Sequence, residues 1–98
     1  MYTTIRHYNV TTDSAREVMT RAFEGFVPII SKSPGFVSYD LVDTGSDTVT
    51  TISTFENQAG IEKSNELTAA WANYYLAGLV TGLPIIMGGL VGGHRSVR

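Results

Sequence analysis

A chain of 98 residues has room for one core and no linker, because at this length roughly 60–68% of the unfolded surface is buried and a second core cannot be supported. The formal charge is −2, the seven Lys and Arg are scattered at 6, 16, 21, 32, 63, 95 and 98, and charged residues reach only 16%, which argues against nucleic-acid binding and suggests that part of the surface is covered by a partner. The absence of cysteine excludes disulfides, thiolate metal sites and thiol redox chemistry.

The opening "MYTTIRHYNV" lacks a basic region followed by an apolar block of ~7–15 residues, so no secretory leader is expected and the cytoplasm is the expected location. Its Tyr, Thr, Ile and Val side chains suit a pleated surface and predict a first strand over residues 2–10, stopped by Thr11-Thr12-Asp13-Ser14. Thr12 or Asp13 is a candidate helix cap, and Ser14 with Glu17 offers a capping box instead. Ala15, Val18, Met19, Ala22, Phe26, Ile29 and Ile30 then recur at helical spacing opposite Arg16, Glu17, Arg21 and Glu24, which predicts an amphipathic helix. Pro28 lies inside that pattern, where it removes a donor and presses on the carbonyl of Glu24, so a kink or break is expected.

After Pro34-Gly35, "FVSYDLV" and "TVTTISTFE" flank the turn-rich "DTGSD" and read as an antiparallel hairpin. Asn57 is the expected cap of a second helix, whose inner stripe is read as Gly60, Ser64, Leu67, Trp71, Tyr74, Tyr75 and Gly78. Residues 76–93 hold no charge, yet six of them are glycine and Pro84 stands in their middle, a composition that disfavours a membrane helix. The better parse ends the second helix near Gly78, turns through Thr81-Gly82 and makes residues 84–97 a last strand, broken or bulged at its glycines, that crosses to or lies against a partner chain.

The order βαββαβ predicts an α+β ferredoxin-like sandwich comprising the single domain 1–98, with both helices on one face of a four-stranded sheet. The other face would expose Ile5 and Ile52, and homodimerisation, burying at least ~2,000 Å², is the expected remedy.

The chain resembles the antibiotic biosynthesis monooxygenase family of dimeric α+β barrels. The resemblance lies in "YTTIRHY", "PGFVSYDLV", "TISTFE" followed by "NQAGIEKSNELTAAWA", and the closing "PIIMGGLVGGH". It implies a homodimer and a pocket for an aromatic or quinol-like small molecule, while the scattered basic residues and the glycine-rich closing stretch leave no membrane or nucleic-acid partner expected. It also implies oxygenation with no cofactor and no metal, since an electron-rich substrate reacts with oxygen once deprotonated. The alternative is a non-catalytic small-molecule-binding or structural dimer, because no nucleophile–base pattern is visible.

On this reading His7, Arg6 and Tyr74 are the candidate catalytic residues, and Trp71, Tyr75, Tyr39 and Tyr8 the candidate substrate contacts. Strand parity puts Arg6 and Tyr8 on one sheet face and Ile5 and His7 on the other, so one pair alone can line a pocket. Core packing is the competing role for Trp71, Tyr74 and Tyr39, and a structural or exposed position for His7. The haem-degrading branch of the superfamily carries Asn, Trp and His where this chain has Arg6, Ser64 and Tyr74, so the resemblance to that branch lacks its ligand set. Other members carry Trp where this chain has Phe55. The expected pocket lies between the second helix and the sheet, with Trp71 and Tyr74 on its wall and Arg6 or His7 approaching from the first strand.

Overall fold

The computed structural model describes residues 1–96. Strand β1 (Tyr2–Val10) alternates as its sequence does: Thr4, Arg6, Tyr8 and Val10 are buried, while Thr3, Ile5 and His7 are half-buried on the opposite face. It pairs antiparallel with β3 (Thr48–Phe55), Ile5 opposite Ile52 and Arg6 opposite Thr51. Strand β2 (Phe36–Asp43) pairs antiparallel with β3 through the expected hairpin, whose turn is set by positive φ at Gly45, Ser46 and Asp47 and by the Asp43 carboxylate accepting the Gly45 N–H. With β4 (Val80–Leu90) on the far side of β1, the sheet order is β2-β3-β1-β4. The chain thus has the α+β ferredoxin-like arrangement that the element order predicts.

Helix α1 (Ala15–Arg21) starts after Ser14, but no side chain caps it. The Ser14 hydroxyl is engaged by the Thr11 side chain and the Thr12 carbonyl, and Asp13 turns at positive φ, so the expected caps are spent within the loop. The disturbance expected from Pro28 is a π-helical turn, Ala22–Phe26, leading without interruption into α2 (Val27–Ile30). Widening one turn before a proline absorbs the missing donor, and it delivers Ala22, Phe26 and Ile30 to the core together.

Helix α3 (Gln58–Tyr75) is capped as expected, with the Asn57 side-chain oxygen accepting the Gly60 N–H at 2.8 Å. Its buried stripe is Ile61, Ser64 and Thr68, continued by half-buried Trp71 and Ala72 and by buried Leu76 beyond its end. The expected stripe is right at Gly60, Ser64, Leu67 and Trp71, with Leu67 packed on the Phe26 and Phe55 cluster, and drifts out of phase at its C-terminal end, where Tyr74 and Tyr75 are 77% and 53% exposed. Ile61 fixes the helical phase, and the inward positions that follow it are small and polar rather than aromatic.

The last strand also departs from expectation. It starts at Val80, and Thr81-Gly82 lies within it rather than in a turn before it. The step from His7 to Asn9 on β1 is matched by the longer step from Ile85 to Thr81 on β4, so Gly82, Leu83 and Pro84 form a bulge. Gly82 has a positive φ and Pro84 has no N–H to give the ladder, two local reasons for the break to fall there. The later glycines carry no bulge; a Cβ on Gly88 would run into the carbonyl oxygen of Thr3. The strand ends at Leu90 rather than continuing to 97, and Val97 lies outside the described residues.

Two clusters make up the core between helices and sheet. One holds Tyr8, Val10, Val18, Val49 and Leu76, the other Phe26, Ile30, Phe55 and Ile61, and Trp71 packs against both. The face of the sheet away from the helices carries Ile5, Ile52, Val42, Ile85 and Met87, and among the described residues no element packs over it. Among the described residues no helix is long and apolar enough to cross a membrane.

Candidate functional site

Helix α3 lies over β1 and β3 and leaves the helix-side face of edge strand β4 open. The gap is a cleft of about 340 Å³, at the lower end of ordinary small-molecule sites. Its floor is Arg6 and Tyr8 of β1, one wall is Ala69, Ala72, Asn73 and Leu76 on or just beyond α3, and the other is Gly82, Leu83, Pro84 and Ile86 of β4. The β4 bulge therefore forms the rim, and the small side chains of α3 leave the space. A second hollow of about 330 Å³ lies beside Asn65 and Glu62 and shares Ile86 with the first.

Arg6 is 4% exposed. Its Nη1 donates to the Asn65 side-chain oxygen and its Nη2 to the Asn65 carbonyl, each at 3.3 Å. These are long bonds for a guanidinium. Tyr8, two residues along the same strand face, is held above the ordinary tyrosine range by burial, against the opposing pull of the Arg6 charge. Tyr39 is pushed up to about 12, again by burial first, with a hydrogen bond to Thr51 and the Arg6 charge acting the other way. At neutral pH the cleft floor is thus one cation beside a neutral phenol, in otherwise apolar walls.

Strand parity left open which pair lines the pocket, and the structure answers it: Arg6 and Tyr8 do. His7 is on the opposite sheet face, its Nδ1 2.8 Å from the Thr50 hydroxyl, and does not reach the cleft. Trp71 and Tyr74 do not form the cleft wall, contrary to expectation, because the helical phase turns them away from β4. Trp71 stacks on Tyr75 with ring centroids 5.2 Å apart and packs on Phe26 at 5.3 Å, in the seam between α3 and the π-helical turn. With Tyr75, Arg21 and Gly25 it borders a separate, open groove. Tyr74 projects into solvent against the edge of Tyr75. Tyr39 lies beneath the floor, beside Tyr8 and Trp71 around a void of about 10 Å³.

The wall residues of α3 were missed in the sequence, although a signal was there. Ala69, Ala72, Asn73 and Leu76 recur at helical spacing as a stripe of amide and small apolar side chains, shadowed by the larger aromatics beside it. Pro84 next to Gly82 marked the rim. Ser64 is fully buried on the inner face of α3 with its hydroxyl unpaired. Among the described residues no group of three His, Cys, Asp or Glu is placed to hold a metal ion.

Residues 1–72 match the antibiotic biosynthesis monooxygenase family. Comparison with curated protein sequences gives no significant match. Similar solved structures include a Nitrosomonas europaea protein of unknown function, at 14% identity and a TM-score of 0.78 over 99% of this chain and 95% of that one. The haem degrader MhuD of Mycobacterium tuberculosis, solved with two haems in its active site, is similar at 18% identity and a TM-score of 0.74 over 98% of this chain and all 100% of that one. A Streptomyces coelicolor monooxygenase in complex with nanaomycin D is similar at 20% identity and a TM-score of 0.69 over 99% and 92%. At these identities the structures speak for the fold alone, and it is the sequence match over residues 1–72 that shows the lineage: the chain belongs to the antibiotic biosynthesis monooxygenase family.

Proposed function

We propose that the chain is a cofactor-independent monooxygenase that oxidises an aromatic or quinol-like small molecule in the cleft between α3, β1 and β4, as a cytoplasmic homodimer of one domain per chain. The observation that carries this reading is the cleft itself, apolar on its walls and polar only where Arg6, Tyr8 and Asn73 meet it. Such a surface holds a flat ring system by its faces and orients it by its oxygen substituents. The substrate supplies the electrons: its deprotonated form reduces dioxygen, one oxygen atom stays on the ring carbon as a carbonyl and the other leaves as water.

The chain's part is to hold the ring, keep water from the reacting carbon and present Arg6 and the neutral Tyr8 hydroxyl to its oxygen substituents. Tyr39 and Trp71 support this floor from below. His7, Tyr74 and Tyr75 lie outside the cleft and have no part in it. Haem degradation finds no support from these positions, since Tyr74 faces solvent and Ser64 is buried away from the cleft. The second reading, a binding module without catalysis, is favoured by the lack of any histidine or carboxylate on the cleft walls among the described residues.

Oxygen uptake with a panel of anthrones and quinols separates the two. The enzyme reading predicts protein-dependent uptake that survives a chelator and is abolished by Ala69→Trp, which fills the cleft from an exposed position on α3. Tight binding of these compounds without uptake establishes the binding module instead.

A further inference from the structure

Arg6 is a buried cation for which the described residues provide no counter-charge. Among the described residues the one ion pair is Arg21–Glu17, on the surface, and the hydrogen-bond partners of Arg6 are two oxygens of the uncharged Asn65. A guanidinium offers five donors in a planar fork, so most of this one is unspent. No Asp or Glu borders the cleft. The neighbouring phenols do not help, since burial keeps Tyr8 and Tyr39 protonated at neutral pH. A buried charge that lacks a partner keeps its full desolvation cost, and the side on which a partner can arrive is the cleft.

We propose that the cleft selects an organic anion, whose acidic oxygen pairs with Arg6 while its ring system lies against Ala69, Ala72, Leu76 and Ile86. The proposal rests on the reading of the cleft as the ligand site and adds the substrate class: a fused-ring carboxylate, or a phenol acidic enough to enter ionised. Neutral esters and ethers of the same ring are then poor ligands, because they bring no charge to the fork and leave Arg6 desolvated.

The register supplies a direct test. Ile86 stands opposite Arg6 on β4 and borders the cleft. In Ile86→Glu the chain itself would hold the missing carboxylate. Binding of 2-naphthoate, its methyl ester and an acidic nitronaphthol is measured by calorimetry on the full chain, together with the melting temperature of each variant. The expected result is naphthoate binding at least ~10-fold tighter than the ester, the scale of one charge-assisted contact. Arg6→Gln should erase that preference without lowering the melting temperature of the ligand-free protein. Ile86→Glu should raise the melting temperature and abolish naphthoate binding.

If the ionised phenol is the true source of the charge, nitronaphthol outbinds naphthoate and its affinity rises with pH through its own ionisation. Equal affinity for acid and ester, or an Ile86→Glu variant that is destabilised and still binds naphthoate, overturns the proposal. Oxygen uptake on neutral quinols with no preference for anions sinks this inference and leaves the monooxygenase reading. Anion binding without uptake does the reverse.

Discussion

Tyr39 shows how one buried side chain writes itself into the pH dependence of the whole molecule. Its ring meets Phe26 edge-on at 5.8 Å, and burial raises its pKa to about 12. Because the folded value lies above the unfolded value near 10, the contribution to stability is complete below pH 10 and is lost as pH climbs to 12. Two units correspond to roughly 2–3 kcal/mol. Urea unfolding at pH 9 and pH 11.5 should show this loss in the wild type, and Tyr39→Phe should reduce it, leaving the part that the likewise raised Tyr8 contributes. Tyr74 is the contrasting case. It is exposed and touches little besides Tyr75, so Tyr74→Ala should change stability by no more than ~0.5 kcal/mol. The same variant should leave ligand affinity in the cleft unaltered, and a large loss of affinity would return Tyr74 to the site.

At the scale of elements, β4 shapes the cleft through its irregularities. Gly88 lets its backbone lie against the Thr3 carbonyl. Gly88→Ala should force the strands apart, cost about 2 kcal/mol and lower the melting temperature by ~10 °C, which scanning calorimetry reads directly. Strands β1 and β3 were legible from the sequence because β-branched residues recur there, and Asn57 announced the start of α3 by its own chemistry. What stayed hidden depended on phase and register. Along α3 the inward face runs through Thr68 and Ala72 to Leu76, whereas hydrophobicity draws the eye to Tyr74 and Tyr75, which face outward. The Thr81-Gly82 pair carries a turn signal whether it ends a loop or bulges a strand, and only pairing with β1 decides between them. Arg6 and Tyr8 were named as a pair by strand parity, but their side of the sheet follows from where the helices pack.

At the scale of the molecule, the uncovered apolar sheet face is where a second copy of the chain would pack. Ile5, Ile52, Ile85 and Met87 share the sheet face away from the helices, and an apolar patch of this kind in water promotes association. Sedimentation at micromolar concentration should give a dimer, and Ile52→Asp, which charges the centre of that face, should give a folded monomer. The cleft opens on the opposite face of the sheet, so this monomer should still bind ligand. The measurement that bears most directly on the central claim is a crystal structure of the wild-type protein grown with 2-naphthoate. The account predicts the ring between α3 and β4, against Ala72 and Ile86, with a carboxylate oxygen within hydrogen-bond distance of the Arg6 guanidinium. A ring stacked in the Trp71–Tyr75 groove, with the α3–β4 cleft holding water alone, would contradict it.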